Sequence, residues 1–100
     1  MWKKEIDRIF KDEKIINIFK ENNIKHLYLI GSYARWDFNE NSDIDVAYEV
    51  EKWKKFTLFN IWGIKYLFEK EVWIDLDLVN INSIRESLKQ FINKDKILIF

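Results

Sequence analysis

Two acidic pairs and one glycine-led turn carry most of the chemical information in this chain. Asp43 and Asp45 flank Ile44, and the same spacing recurs at Asp75 and Asp77 around Leu76. Side chains two apart on a β-strand share a face, so each pair would present two carboxylates together. The intervening Ile44 and Leu76 would anchor the strands in a core. Adjacent carboxylates repel each other and raise one pKa, a conflict that a divalent cation removes. Hard oxygen donors favour magnesium, which is usually shared between one or two carboxylates and the phosphates of a substrate.

Gly31-Ser32, separated from Asp43 by ten residues, stands at the end of the apolar run 24–30. Gly31 lacks a Cβ and so permits a sharp turn and the close approach of a ligand. Ser32 would open a helical turn, where unpaired N–H groups and a hydroxyl can hold phosphate oxygens. Arg35, one turn further on, would add a charge-assisted contact. A phosphate-holding turn beside paired carboxylates is what nucleotidyl transfer requires. A third carboxylate, Asp75 or Asp77, would complete a two-ion site with ions about 3.5–4 Å apart. There Asp77 would bind the ion that activates the incoming hydroxyl or act as general base.

The elements needed to position these groups can be read in order. Residues 3–21 form an expected amphipathic helix with Ile6, Ile9, Ile16 and Phe19 on its apolar stripe, stopped at Asn22-Asn23. A strand over 24–30 leads into a short helical turn over 32–38 and a polar loop at 39–42. Residues 43–50 and 72–79 alternate as strands, with a helix over 54–69 between them. Ser83-Ile84-Arg85-Glu86 matches a capping box that starts a last helix, with Ile84, Leu88, Phe91 and Ile92 as its stripe. Residues 96–100 would close the chain as an edge strand. The expected class is α/β (α+β), a small mixed sheet of three to four strands packed against helices. The loop between the first two strands is too short for a crossover helix, so antiparallel pairing is expected there.

Composition narrows the function classes. One hundred residues suit one domain, and 17 aromatic residues provide apolar area that a small core needs. Basic and acidic side chains balance at 17 each, which gives no global attraction to nucleic acid or an anionic membrane. Cysteine is absent, which excludes disulfides and thiolate metal sites. The Met1-Trp2-Lys3-Lys4 start has no signal-like apolar run, and no stretch of about 20 apolar residues occurs, so a cytoplasmic protein is expected. His26, the one histidine, lacks a second His or Cys and reads as structural, and Tyr33 reads as packing.

Gly31-Ser32-Tyr33-Ala34-Arg35, then Ser42-Asp43-Ile44-Asp45, resembles the minimal nucleotidyltransferases (MNT proteins) of the DNA polymerase β-like superfamily. The later Asp77-Leu78-Val79, helix and apolar tail extend the similarity over nearly the whole chain. The resemblance implies the polymerase β-like fold, with Asp43, Asp45 and Asp77 as catalytic metal ligands and Asp75 in reserve. It also implies Gly31, Ser32 and Arg35 as nucleotide-binding residues, magnesium as cofactor and ATP as donor. Many such proteins act as antitoxins to a HEPN-domain toxin, and some add AMP to a tyrosine of it. The acceptor implied is therefore a hydroxyl of a HEPN partner. Two other readings stand beside it: a binding module that neutralises its partner by masking, and a nucleotidyltransferase acting on RNA or a small molecule. Trp36 departs from the glycine common at that position and alters the loop more than the carboxylates. Finally, the segment 56–68 is apolar on more than one face of its helix, which points to a homo- or hetero-oligomeric interface.

Overall fold

The computed structural model describes residues 3–100, and the Met1-Trp2 start lies outside the described residues. Helices α1 (Lys3–Ile9) and α2 (Glu13–Lys20) replace the single helix expected over 3–21. Asp12 explains the break: its side chain accepts from the Lys14 N–H at 2.9 Å and caps α2 as a new start. The change of direction also rotates the apolar stripe. Ile6, Phe10, Ile15, Ile18 and Phe19 are buried, while Ile9 and Ile16 lie only partly in the core.

Strand β1 (Ile24–Ile30) follows Asn23, whose left-handed φ of 65° ends the helical segment as expected for asparagine. The short helix α3 (Gly31–Arg35) begins directly at the end of β1, and β2 (Ile44–Val50) returns antiparallel to β1. Helix α4 spans Leu58–Val72, several residues later at both ends than the 54–69 expected. Thr57 and Asn60 set its start by reciprocal capping, with the Thr57 N–H bonded to Asn60 Oδ1 at 2.8 Å. Since α4 continues to Val72, strand β3 is confined to Leu76–Asn80 rather than beginning at 72.

Helix α5 covers Glu86–Asp95. Ser83 does not cap it: the N-cap position belongs to Arg85, which makes no side-chain cap bond, and the Ser83 N–H is bonded to Asn80 O at 3.0 Å in the preceding turn. The expected α5 stripe is largely in water, since Leu88 and Phe91 are exposed. Strand β4 (Ile97–Leu98) is the expected edge strand, shorter than 96–100, and it pairs antiparallel with β1.

The sheet order is β3-β2-β1-β4, mixed because β2 and β3 run parallel. The class expected from the sequence is therefore the one observed. Helices α1, α2 and α4 cover one face, over Leu27, Leu29, Ile44, Val46 and Leu76. Phe68 of α4 is central, its ring 5.9 Å from those of both Phe10 and Phe19. Each such aromatic pair adds about 0.5–1.5 kcal/mol beyond area burial. Among the described residues, no helix is long and apolar enough to cross a membrane.

Candidate active site

The site forms where β1, β2 and β3 meet α3. Because β2 and β3 are parallel, Ile44 lies beside Leu76, and Asp45 lies beside Asp77. Ile44 and Leu76 are both fully buried, which fixes the register from the core side. A clamp from α4 fixes it again: Leu76 N–H donates to Glu69 Oε2 at 2.7 Å, and Lys65 Nζ donates to the Leu76 carbonyl. Lys65 also bridges Glu69 at 3.3 Å. The carboxylates of Asp45 and Asp77 are thus held on the sheet face opposite this core.

Gly31 lies against Asp45. Its φ of 73° suits glycine, and a methyl built on it would overlap the Asp45 carboxylate at Oδ2. The sequence suggested the close approach of a ligand at Gly31; the group that approaches it within the chain is the Asp45 carboxylate. Asp43 immediately precedes β2 and is exposed. Asp75 precedes β3, where its carbonyl accepts from Ile44 N at 2.9 Å.

Electrostatics couple these groups. Partial burial, a hydrogen bond that the protonated Asp45 donates to Asp77, and the charges of Asp77 and Asp43 raise the Asp45 pKa from its ordinary 3.8 to about 6, against the opposing pull of Arg35. Asp43 also acts on Tyr33, whose phenol is raised first by burial and then by that carboxylate. Tyr33 itself is a packing residue, buried and stacked on Phe38 at 4.4 Å. Asp75 does not figure among the charges acting on Asp45.

Ser32 and Arg35 sit on α3 as expected. The N-cap of α3 is Ile30, which offers no side-chain acceptor to the first turn. Arg35 Nε is paired with Asp37 Oδ2 at 3.1 Å, and both are exposed, so this pair contributes little stability and can exchange for another anion. Trp36 adopts a left-handed φ of 72° as the α3 C-cap, a position in which glycine would be unstrained. His26 has a structural setting, with Nδ1 at 3.4 Å from the Phe100 carbonyl.

A cavity of about 150 Å³ opens beside this turn, lined by Ile30, Gly31 and Arg35 from one side and by Phe91, Ile92 and Asp95 of α5 from the other. The α5 residues were missed in the sequence, where Phe91 and Ile92 read simply as a core stripe. A larger hollow of about 360 Å³ lies elsewhere, between Glu5, Arg8, Asp12 and Glu71, remote from the paired carboxylates. Chemistry rather than volume identifies the site.

The donor set fits a hard divalent cation. Among the described residues no three Asp, Glu or His side chains are drawn into a closed cluster. Magnesium does not need one, since it keeps several waters and takes one or two carboxylates plus substrate phosphates. Asp45 and Asp77 provide such a pair, and the mutual repulsion expressed in the raised Asp45 pKa is what a cation would relieve.

Residues 13–100 match the family described as polymerase beta, nucleotidyltransferase, and the chain belongs to that family. A protein of Methanocaldococcus jannaschii, named for protein adenylyltransferase activity, is 33% identical over 84 residues, covering 84% of this chain and 88% of that one. Among solved structures, a toxin–antitoxin with AMP-PNP contains a chain 26% identical, with a TM-score of 0.72 over 88% of this chain and 71% of that chain. A complex of tri-AMPylated Shewanella oneidensis HEPN toxin with MNT antitoxin has the same fold. There the identity is 22% and the TM-score 0.67, over 94% of this chain and 71% of that chain.

Proposed function

We propose that this single domain transfers AMP from ATP to a tyrosine hydroxyl of a HEPN-domain partner and thereby acts as its antitoxin. The observation that carries the reading is the in-register Asp45–Asp77 pair, with Gly31 against Asp45 and Asp43 close enough to act on its ionisation. The relative named for protein adenylyltransferase activity and the AMPylated toxin complex supply the reaction class and the kind of acceptor.

In this reading Asp43, Asp45 and Asp77 would hold two magnesium ions, which neutralise phosphate charge and lower the pKa of the acceptor hydroxyl. Gly31 and Ser32 offer backbone N–H groups, and Ser32 its hydroxyl, to the phosphates. Arg35 leaves Asp37 to add a cationic contact. The acceptor oxygen attacks the α-phosphorus and forms an O–P bond. The bond from that phosphorus to the bridging oxygen of the β-phosphate breaks, pyrophosphate leaves, and the hydroxyl proton passes to Asp77 or to water. The cavity at Gly31 is too small for a whole nucleotide, so it would take phosphate while base and sugar lie across the surface.

The test is incubation with ATP labelled at the α- or the γ-phosphate, with magnesium and a HEPN-domain protein as acceptor. Label on that protein from the α-position alone is the expected result. Label from the γ-position would replace AMP transfer by phosphoryl transfer. A stable complex that never acquires label would leave masking as the mode of neutralisation.

A further inference from the structure

The outward side of α4 takes no part in this chemistry. Phe59, Trp62 and Tyr66 are 78%, 58% and 65% exposed there, while Ile64 and Phe68 on the inward side are fully buried. Phe59, Gly63, Tyr66 and Lys70 follow one another at intervals of four, three and four, the spacing of a coiled-coil seam. Gly63 is the unexpected member. A Cβ added to it would meet nothing within 4 Å, so no packing inside the chain calls for glycine. In a helix interior glycine costs about 1 kcal/mol relative to alanine.

We propose that α4 pairs antiparallel with α4 of a second copy of this chain, about a two-fold axis level with the Ile64–Lys65 peptide. That axis sets Gly63 opposite Tyr66 of the second copy, and Tyr66 opposite its Gly63. Each ring then enters the hole that each glycine leaves, twice over, as isologous pairing requires. Trp62 meets Leu67, an exposed residue on the flank of the seam. Lys70 meets Phe59, a cation placed over an aromatic face, as Lys70 already lies 5.9 Å from the Tyr66 ring centroid within its own chain. A parallel pairing would instead set Gly63 against Gly63 and Tyr66 against Tyr66. A face whose knobs fit its own holes is matched to a second copy.

The exposed side chains of this face can bury roughly 500 Å² per copy, less than the about 800 Å² per partner of a standard interface. The dimer is accordingly weak and concentration-dependent. Sedimentation of the full chain across the micromolar range should show a reversible monomer–dimer equilibrium. Gly63→Leu should abolish it by filling the hole, with the helical circular dichroism and thermal transition retained. Gly63→Tyr and Tyr66→Gly should each weaken association about fivefold to tenfold, and the two together, which exchange knob and hole, should restore it. A chain monomeric throughout would overturn the proposal and leave the face to a different protein. A dimer indifferent to Gly63→Leu, or a knob-and-hole exchange without recovery, would overturn the antiparallel seam.

Discussion

The Asp45–Asp77 seam and the outward face of α4 invert the usual placement of side chains in opposite senses. In the seam, Asp45 is drawn partly out of water beside Asp77, and it responds with a raised pKa. On α4, Phe59, Trp62 and Tyr66 are left in water although burial would stabilise them. Neither arrangement helps an isolated chain to fold. The seam is locally unfavourable until a cation and phosphates arrive, and the α4 face until another surface covers it. The difference lies in what builds them. Strand register and one glycine build the seam, whereas the α4 face is left open because no described element packs over it.

The largest test separates the two regions outright. Asp43→Asn with Asp45→Asn should reduce nucleotide transfer by on the order of a thousand-fold, the scale of losing a principal electrostatic group at a reaction centre. Partner binding measured by calorimetry should be unchanged. A joint loss of transfer and binding would show that the seam also builds the docking surface.

Within α4 itself, the inward and outward faces should respond very differently to the same substitution. Phe68→Ala removes a fully buried ring packed on Phe10 and Phe19 and should destabilise the fold by about 3–5 kcal/mol. Phe59→Ala should change the stability of the dilute monomer by less than about 0.5 kcal/mol. Urea denaturation of both variants checks this, and a large effect at Phe59 would mean that its ring already has a structural task within the chain.

Gly31→Ala probes the seam at Asp45. The added methyl meets the Asp45 carboxylate, and the left-handed φ becomes strained. The expected cost is about 1–3 kcal/mol, with transfer lost alongside as Asp45 is displaced. Retention of both stability and transfer would show that the carboxylate can move aside without consequence.

These contrasts also explain what could be read from the sequence. The seam was legible because its determinants are local: Asp-x-Asp shares a strand face by period, and Gly31-Ser32 follows directly on an apolar strand. The choice between Asp75 and Asp77 as Asp45's neighbour was not legible, since it depends on parallel register between β2 and β3, which Leu76 and the Lys65–Glu69 clamp impose. The break at Asp12 was hidden because aspartate suits a helix surface as well as a cap. Thr57 and Asn60 were overlooked because asparagine took the place in the capping box where Glu or Gln is the usual signal. The exposure of Leu88 and Phe91 was invisible because an apolar stripe looks the same whether or not a core reaches it.

A smaller effect than those on the seam above is a pH dependence confined to Asp45. Asp45 is raised from 3.8 to about 6 in the folded chain, so the fold binds its proton more tightly than the unfolded chain does. That contribution is fully present below about pH 4 and is lost as pH rises through about 6. Because Asp45 is only half-buried, solvent screening reduces it to on the order of 1 kcal/mol, or about 4–8 °C in Tm for a domain of this size. Asp45→Asn keeps the shape without the charge, so it should flatten this part of the profile and raise the Tm of metal-free protein at pH 7. Magnesium added at pH 7 should stabilise the natural chain and leave the variant nearly unmoved, because the repulsion that the cation relieves is already gone. A natural chain whose metal-free Tm rises between pH 4 and 7 by as much as the variant's would show that Asp45 carries no such repulsion. The contrast between a strained acidic seam and a merely uncovered apolar face would then fail at its weaker side.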